Sequence, residues 1–484
     1  MAITHISEQQ SHHDKAEEKN LEAQTVVSSS KPKPLKYDAN ADIDEKSDFE
    51  PDNEDDIQSG QSPVPTNVLG RMISKTRSNI SIEVGPPPDG GWTAWIQVLM
   101  VALITLNTWG YINSFGVFQT YYSETLNRSQ SSISWIGSVQ VCLVFGIGTF
   151  SGRATDAGYF KLVYAIGTIL QTLGTFTTSV SKTYLQLFLS QGLCTGLGNG
   201  MMFCPCISLA ATYFLKNRAL ALSLTASGTA IGGLIFPSIV EKMLPQVGFG
   251  WTVRTIAFIM LAISVTGFFV LKQRVPPRTT GPIFEASAWK ELPYLFYAVG
   301  MFFNLWAIYF AFYYVGSFGK AIIGISDNTS INMLLIMNGV GFVGRLIPGY
   351  CADKYSGPIN FMAPMALLTA LLSFLWPLVS NEAGLFVWSA IYGITASGIQ
   401  GLFPGGLASL TTDPKKQGVR MGMVMTLLSI ALLTGCPLGG ALISADGGRY
   451  LGAQLWSGAC MILGGSFLFA ARRAKTGSWV NGRA

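Results

Sequence analysis

The sequence predicts an all-α membrane protein built from two six-helix bundles, preceded by a disordered tail. Three observations predict it: the composition, about twelve apolar segments of membrane-spanning length, and a short motif repeated six segments apart. The chain has 484 residues, of which 49% are hydrophobic and only 12% are charged. Soluble globular proteins carry about 25% charged residues. Half that fraction over this length indicates an integral membrane protein.

The first 85 residues differ from the rest in charge. They hold 16 of the 27 acidic and nine of the 32 basic residues, a net charge of −7. The remaining 11 acidic and 23 basic residues give the rest of the chain a net charge of +12. A polar, Ser- and Pro-rich segment of this kind cannot bury enough apolar surface to fold alone. No signal-peptide core precedes the first apolar segment, so residues 1–85 are predicted to be a disordered cytosolic tail.

The first apolar segment follows a proline run and the sequence Asp89-Gly90-Gly91-Trp92. From Ala94 to Phe118 the chain carries no charge, and about 25 residues suffice to cross a bilayer core at about 1.5 Å per residue. Asp89 is expected to accept hydrogen bonds from the free amides of this helix start. Trp92 and Trp95 are expected at the water–lipid boundary, which amphipathic rings favour.

Eleven further apolar segments follow. The longest connection, 272–292, separates the twelve segments into two groups of six. The predicted domains are therefore 86–271, the cytosolic linker 272–292, 293–473 and a cytosolic tail at 474–484. The twelve predicted spans are 94–118, 133–152, 162–180, 184–210, 218–240, 252–271, 293–318, 329–350, 359–380, 384–408, 417–442 and 450–471.

The loops between these segments predict the orientation. With a cytosolic N-terminus, inner loops hold about twice as many Lys and Arg residues as outer loops, which is the bias expected of cytoplasmic loops. Both termini are then cytosolic, and the plasma membrane is the expected location. Asn127 and Asn328, each in an Asn-x-Ser/Thr sequence, would face outside and are candidate glycosylation sites.

A short motif occurs after the second and the eighth spans. Gly152 and Asp156 stand at the first site, and Gly349 and Asp353 stand at the second, each pair with the spacing Gly-x-x-x-Asp. We expect each Asp to cap a helix end and to hold one closed state, so these residues are predicted to act in gating rather than in substrate contact.

Several function classes lack support in the sequence. Six of the seven cysteines lie within apolar segments and no histidine follows His13, so no metal site is predicted. No cofactor is predicted either, and no nucleotide-binding loop of the Gly-x-x-x-x-Gly-Lys type is present. The basic residues fall in short loops between spans, which argues against nucleic acid as a partner. The expected partners are a small-molecule substrate and the lipid bilayer, with no obligate protein partner evident.

Two motifs resemble those of the monocarboxylate-carrier family of the major facilitator superfamily. Asp89-Gly90-Gly91-Trp92, followed by a second Trp, resembles the motif before that family's first helix, in the spacing of its fungal branch. Tyr213-Phe214-Leu215-Lys216-Asn217-Arg218 resembles the family's signature before the fifth helix. Together with the paired Gly-x-x-x-Asp loops, this resemblance covers about residues 86–473 and implies a secondary transporter.

The resemblance also places substrate-binding charges. Animal proton-coupled members use a Lys late in the first helix and an Asp/Arg pair in the eighth. Here Asn113 stands at the Lys position, Gly341 at the Asp position, and only Arg345 is kept. Arg345 is therefore expected either to bind an anionic substrate group or to snorkel to the inner surface. Asn113 is expected either to contact a ligand or to bond a neighbouring helix.

Aromatic residues dominate the first and seventh spans. Trp306, Tyr309 and Tyr313 share one face of the seventh span by their i, i+3, i+4 spacing, and Trp109 lies in the first. For any one of these rings, packing is an alternative to ligand contact. Taken together, they suit an amphipathic organic ligand better than a sugar.

The leading hypothesis is a secondary transporter that moves a small organic anion or amphipathic metabolite by alternating access, with export of a fungal secondary metabolite favoured. A monocarboxylate or riboflavin-type uptake carrier is the alternative. A non-transporting membrane nutrient sensor is an alternative from another class, and a membrane enzyme ranks third. The missing acidic groups within the spans argue against proton symport of the lactate type.

Overall fold

The computed structural model describes residues 85–128, 130–278, 282–478 and 482, and the predicted tail lies almost entirely outside them. This described part is helical and contains no β-strand. Its α-helices, numbered in chain order, are α1 (Gly91–Thr105), α2 (Tyr111–Asn113), α3 (Phe115–Leu126), α4 (Gln130–Gly146), α5 (Gly148–Ala154), α6 (Phe160–Thr178), α7 (Tyr184–Leu187), α8 (Thr195–Ala211), α9 (Arg218–Val270), α10 (Leu292–Phe318), α11 (Asp327–Cys351), α12 (Pro358–Leu375), α13 (Glu382–Ser409), α14 (Gln417–Ala445) and α15 (Leu451–Thr476). Short π-helical turns join several of them, at Leu106–Gly110, Thr155–Tyr159, Phe188–Cys194, Gly319–Ile323 and Ala352–Ser356.

Ten helical stretches of the described residues are long and apolar enough to cross a bilayer. Two of them, Ser132–Thr178 and Arg218–Val270, have 47 and 53 residues, more than twice the roughly 20 that one crossing needs. Each contains one glycine outside helical backbone geometry, Gly158 with φ 92° and Gly248 with φ 75°. A positive φ costs glycine little, so the helical geometry breaks there, between two predicted spans.

The helices form two groups, α1–α9 and α10–α15. In the first group α1 packs on α9, and α8 packs on α4 and α6; in the second, α11 packs on α13 and α15 packs on α10 and α12. The groups meet along two seams, where α9 packs on α11 and α14 packs on α4 and α5. One buried hydrophobic cluster runs through both groups, and a second, smaller cluster lies within the first.

Small residues allow the backbones of α1 and α9 to approach closely. A Cβ atom added at Gly228 would lie 2.0 Å from the carbonyl oxygen of Ala102, and one at Gly232 would lie 2.6 Å from that of Leu106. Since lipid gives helices no hydrophobic reason to associate, close packing of this kind supplies the attraction.

The start of α1 differs from the prediction. Asp89 does not cap α1; its carboxylate instead accepts hydrogen bonds from the backbone amides of Leu215 and, at 2.7 Å, of Lys216. Its own amide donates to the carbonyl of Tyr213 at 3.2 Å. Backbone turns at Gly90 and Gly91, both with positive φ, direct the carboxylate away from the helix that follows. The two sequence motifs that resemble one family are therefore in direct contact.

The two tryptophans beside this contact differ in exposure, although both are expected at the water–lipid boundary. Trp92 is 81% exposed, as expected at a lipid boundary, whereas Trp95 packs on the buried ring of Phe214 with 4.9 Å between centroids. Arg218 donates to the carbonyls of Phe214 at 2.8 Å and of Ala408 at 3.0 Å. Because Ala408 belongs to α13, this guanidinium ties the two helix groups together.

The segment between α9 and α10 is held by charge pairs. Glu285 is buried and pairs with Lys416 at 2.6 Å and with Arg420 at 3.7 Å, and Arg420 also pairs with Glu291. Burial alone would raise the pKa of the Glu285 carboxyl, but the hydrogen bond from Lys416 and the neighbouring positive charges outweigh it and lower that pKa. The connection is thus anchored to the start of α14.

Candidate functional site: a central cavity above a closed base

The two helix groups are latched together at the base of the bundle, by which we mean the end where α1 begins. The carboxylate of Asp156 accepts hydrogen bonds from the amides of Gly418 at 2.9 Å and Val419 at 2.7 Å, in the first turn of α14. Asp353 accepts from the amides of Ala219 at 3.0 Å and Leu220 at 2.7 Å, in the first turn of α9. Each carboxylate therefore caps a helix of the other group, where the helix dipole favours a negative charge.

Glycines bring the backbones into contact beside these caps. A Cβ atom at Gly152 would lie 2.1 Å from the carbonyl oxygen of Gly418, and one at Gly418 would lie 2.4 Å from that of Gly152. Gly349 faces Ser223, whose Oγ would be 2.5 Å from an added Cβ. Both Gly-x-x-x-Asp motifs thus lie at the interface that closes the base.

Above this closed base lies a cavity of about 170 Å³ between the two groups. One water needs only about 10–15 Å³ of such volume, so the cavity accommodates solvent or a small organic molecule. Its lining comes from both groups: Ile112, Asn113, Gly116, Gln119 and Thr229 from the first, and Tyr309, Phe312, Tyr313, Leu334, Asn338, Arg345 and Gln400 from the second. We call this space the central cavity.

Arg345 is placed in the wall of the central cavity. Its side chain is 2% exposed, so it does not snorkel to the base. Its Nη2 donates to Oε1 of Gln400 at 2.9 Å, whereas its Nη1 has no hydrogen-bond partner among the described residues. Nε2 of Gln400 is buried and also without a partner there. The wall therefore presents buried N–H donors, which suit an anionic or carbonyl oxygen.

Aromatic rings form much of the remaining lining. Tyr309 lines the central cavity and stacks across the interface on Trp109 of the first group, with centroids 6.2 Å apart and planes at 11°. Trp109 itself borders smaller neighbouring cavities and is not part of the central cavity's lining. Nε1 of Trp109 is buried with no hydrogen-bond partner among the described residues. Tyr313 lies one turn beyond Tyr309, is 50% exposed and lines the same cavity. An apolar body with a few polar groups would fit between these rings and Arg345.

The structure does not bring Trp306 to this cavity. Its Nε1 donates to Oγ1 of Thr434 at 3.0 Å, and its ring packs edge-on against Trp456 at 5.5 Å. Helical spacing correctly groups it with Tyr309 and Tyr313, but α14 and α15 cover that face at the depth of Trp306. The expectation that it lines the site is therefore wrong, and its role is packing.

A smaller cavity of about 50 Å³ lies on the base side of the stacked pair. Its lining includes Thr105, Trp109, Phe145, Phe203 and Leu305. It shares Tyr309, Arg345 and Gln400 with the central cavity. Arg345 therefore borders the cavities on both sides of the aromatic stack.

Sequence reasoning missed several polar residues of the site. Gln119, Asn338 and Gln400 line the central cavity. Asn338 and Arg345 are seven residues apart, two helical turns, and so share a face. That spacing was a usable signal. Nothing local to Gln400 indicates its contact with Arg345, which joins α13 to α11.

The candidate glycosylation sites are only partly described. Asn127 is exposed at the C-terminal end of α3 with φ 50°, whereas the side chain of Asn328 lies outside the described residues. The described cysteines are all free thiols. Among the described residues, no group of three or more His, Cys, Asp or Glu side chains is arranged to hold a metal ion.

Comparison with known proteins identifies the family. Residues 99–405 match the model of the Major Facilitator Superfamily. An MFS-type transporter of Gibberella zeae is 43% identical over 86% of this chain and 95% of its own length. The aspyridones efflux protein apdF of Emericella nidulans is 35% identical over 81% of this chain and 80% of its own. The agnestins efflux protein AgnL12 of Paecilomyces divaricatus is 34% identical, with 86% and 94% covered.

Solved structures show the same fold. The human organic anion transporter MFSD10 (TETRAN) superposes with a TM-score of 0.65 at 12% identity, covering 78% of this chain and all of that one. A bacterial homologue of the iron transporter ferroportin, in an outward-facing state, gives 0.65 at 13% identity, over 78% of this chain and 99% of its own. These matches confirm the all-helical membrane fold. The chain belongs to the Major Facilitator Superfamily and is a multi-pass membrane transporter rather than an enzyme.

Proposed function

We propose that this transporter exports a small amphipathic organic anion, of the secondary-metabolite type, by alternating access. The observation that carries the proposal is the Arg345 guanidinium, buried in the wall of the central cavity with an unpartnered Nη1. The rings of Tyr309, Phe312 and Tyr313 form the apolar part of the same site, and Trp109 stacks on Tyr309 beside it. Two relatives named as efflux proteins, for aspyridones and for agnestins, favour export over uptake.

The proposed membrane topology has twelve crossings, with each of the two long helical stretches contributing two. The break in helical geometry at Gly158 and at Gly248 supports this count. The lysine and arginine bias supports a cytosolic location for both termini and for the closed base, and we assign the protein to the plasma membrane. Asn127, exposed at the opposite end, is then the better candidate for glycosylation. The motif contact between Asp89 and the Tyr213–Arg218 segment supports membership in the monocarboxylate-carrier branch.

In this assignment the described conformation is closed to the cytosol. Substrate would reach Arg345 from the cytosol only after the caps made by Asp156 and Asp353 release, because both hold the two helix groups together at the base. The smaller cavity, which Arg345 also borders, is the candidate position for substrate in that inward-facing state.

Replacement of Arg345 tests the proposal. In cells that produce fungal secondary metabolites, Arg345→Ala is expected to reduce export of anionic compounds roughly 10- to 150-fold. The anionic group loses its charge-assisted donor, which costs about 1.5–3 kcal/mol. The measurement is untargeted metabolite comparison of cells and medium, with the amount of protein in the membrane determined in parallel.

The matched control is Arg449→Ala, which removes the same side chain from an exposed position next to Asp446. It should leave export unchanged. Normal export of anionic metabolites by Arg345→Ala at wild-type protein levels would refute the anchoring role of this residue.

A further inference from the structure

The environment of Arg345 is unsymmetrical. Nη2 is bonded to Gln400 at 2.9 Å, whereas Nη1 has no acceptor. Among the described residues, no ion pair includes Arg345. This cation therefore lies within the bundle without a counter-ion in the described part of the chain.

The space beside Nη1 is bordered by Gly341, one helical turn earlier on α11. A Cβ atom at this position would lie 2.9 Å from Nη1 of Arg345 and 2.4 Å from Oγ of Ser397. Ser397 is fully buried and its Oγ also has no hydrogen-bond partner in the described part of the chain. A carboxylate at residue 341 would thus neutralise the guanidinium, but glycine supplies none.

An unpaired buried cation affects the transport cycle. During alternating access the site must close on one side before it opens on the other, and at that stage the guanidinium loses contact with bulk water. Removing an ion from water is costly unless an opposite charge is paired with it. The empty transporter has no such charge at this site, whereas a transporter loaded with an anion does.

We propose that the protein is an anion exchanger, in which reorientation requires an organic monoanion bound at Arg345 in both directions. The inference rests on the proposed function, since it takes Arg345 as the anchor of the substrate. The ligand supplies the counter-ion that residue 341 lacks. One monoanion leaves for each that enters, so the exchange moves no net charge across the membrane.

The test uses the full-length protein in liposomes loaded with tritiated p-aminohippurate, an aromatic monocarboxylate that is charged at neutral pH. Efflux is measured into sulfate buffer with and without unlabelled p-aminohippurate outside. We expect efflux to be at least roughly tenfold faster with the external anion, and insensitive to a potassium-diffusion potential set with valinomycin. Equal rates with and without the external anion would overturn the proposal.

A pair of variants isolates the charge at residue 341. Gly341→Asp with Ser397→Ala supplies an internal carboxylate and removes the hydroxyl that a Cβ would contact. Gly341→Asn with Ser397→Ala has nearly the same shape and no charge. We expect the ratio of the two efflux rates to fall towards one in the Asp variant and to remain high in the Asn variant. Equal ratios in two well-folded variants would contradict the proposal. If the Asp variant does not fold, the ratio measured for the wild-type protein still tests the proposal.

A binding measurement distinguishes failure of the exchange mechanism from failure of the proposed function. A rise in melting temperature with p-aminohippurate, absent with its uncharged methyl ester, supports anion recognition by the purified wild-type protein. No rise with either compound would count against the proposed function itself. Binding together with efflux that ignores the external anion would leave the anion site standing and remove only the exchange mechanism.

Discussion

The glycine contact at the base gives a quantitative test of how the two helix groups close. In Gly152→Ala, the new Cβ would lie 2.1 Å from the carbonyl oxygen of Gly418 and 2.7 Å from its carbonyl carbon. Ordinary van der Waals contact begins at about 3.4 Å, and both obstructing atoms belong to backbone, so no side-chain rotation relieves the clash. The two groups must separate by about 1 Å at this point.

Overpacking of this kind costs about 1–3 kcal/mol. Because the strain exists only when the base is closed, it shifts the equilibrium between the base-closed and base-open conformations. The equilibrium constant is expected to change by about 5- to 150-fold in favour of the base-open conformation. Gly339→Ala is the matched control, since an added Cβ at this helical glycine has no heavy atom within 4 Å.

Cys204 provides the assay. Its side chain is fully buried, its Sγ lies 4.0 Å from the carbonyl of Gly418, and the same sulfur is 3.4 Å from the Cβ position of Gly152. In a protein whose other six cysteines are replaced by serine or alanine, labelling of Cys204 by N-ethylmaleimide reports opening of the base. We expect labelling to accelerate in Gly152→Ala and to stay at the wild-type rate in Gly339→Ala. Equal labelling rates in the two variants would refute the contact as a determinant of closure.

Two further predictions concern the charges at the base. Burial raises the pKa of the Asp156 carboxyl to about 7, so labelling is measured at pH 8, where this group is ionised. Asp156→Asn and Asp353→Asn each then remove a charge that caps a helix of the other group, and each should accelerate Cys204 labelling by an amount that corresponds to about 0.5–2 kcal/mol. Their effects should add, because they act on different helices; an unchanged labelling rate in both would show that the caps do not hold the base. For Glu285, the pKa in the folded state lies below its ordinary value of 4.5. The ionised carboxylate therefore stabilises the protein above pH 4.5, and this stabilisation is lost as the pH falls through the lowered pKa. Glu285→Gln should therefore lower the melting temperature at pH 7, with the difference from wild type shrinking below about pH 4.5, and a difference that stays constant down to pH 3 would contradict the pairing.

Much of the helical architecture could be predicted from the sequence. The apolar segments are long because lipid offers no partner for backbone N–H and C=O groups, so each crossing must satisfy them within a helix. The glycines at 158 and 248 lie in the connections between predicted spans, and the structure shows positive φ at both. Length, hydropathy and the lack of charge within the spans are local properties, and a single sequence records them directly.

The site was predictable only in part. Arg345 is distinctive because it is the one charge deep in the predicted spans, and the structure places it in the cavity wall. Helical spacing grouped Trp306 with Tyr309 and Tyr313, but only the latter two line the cavity, because α14 covers the first. Periodicity identifies a face of a helix; it does not identify the neighbour that covers the face at each depth.

The sequence by itself determined the membrane class and the residues that carry charge at unusual positions. The tertiary structure alone decided what these charges contact: Asp89 bonds to the loop at Leu215, Asp156 caps α14, and Asp353 caps α9. The physical reason is separation along the chain. These partners are 126 to 263 residues apart, and the energy of each contact depends on how two helix groups pack, which no local pattern encodes.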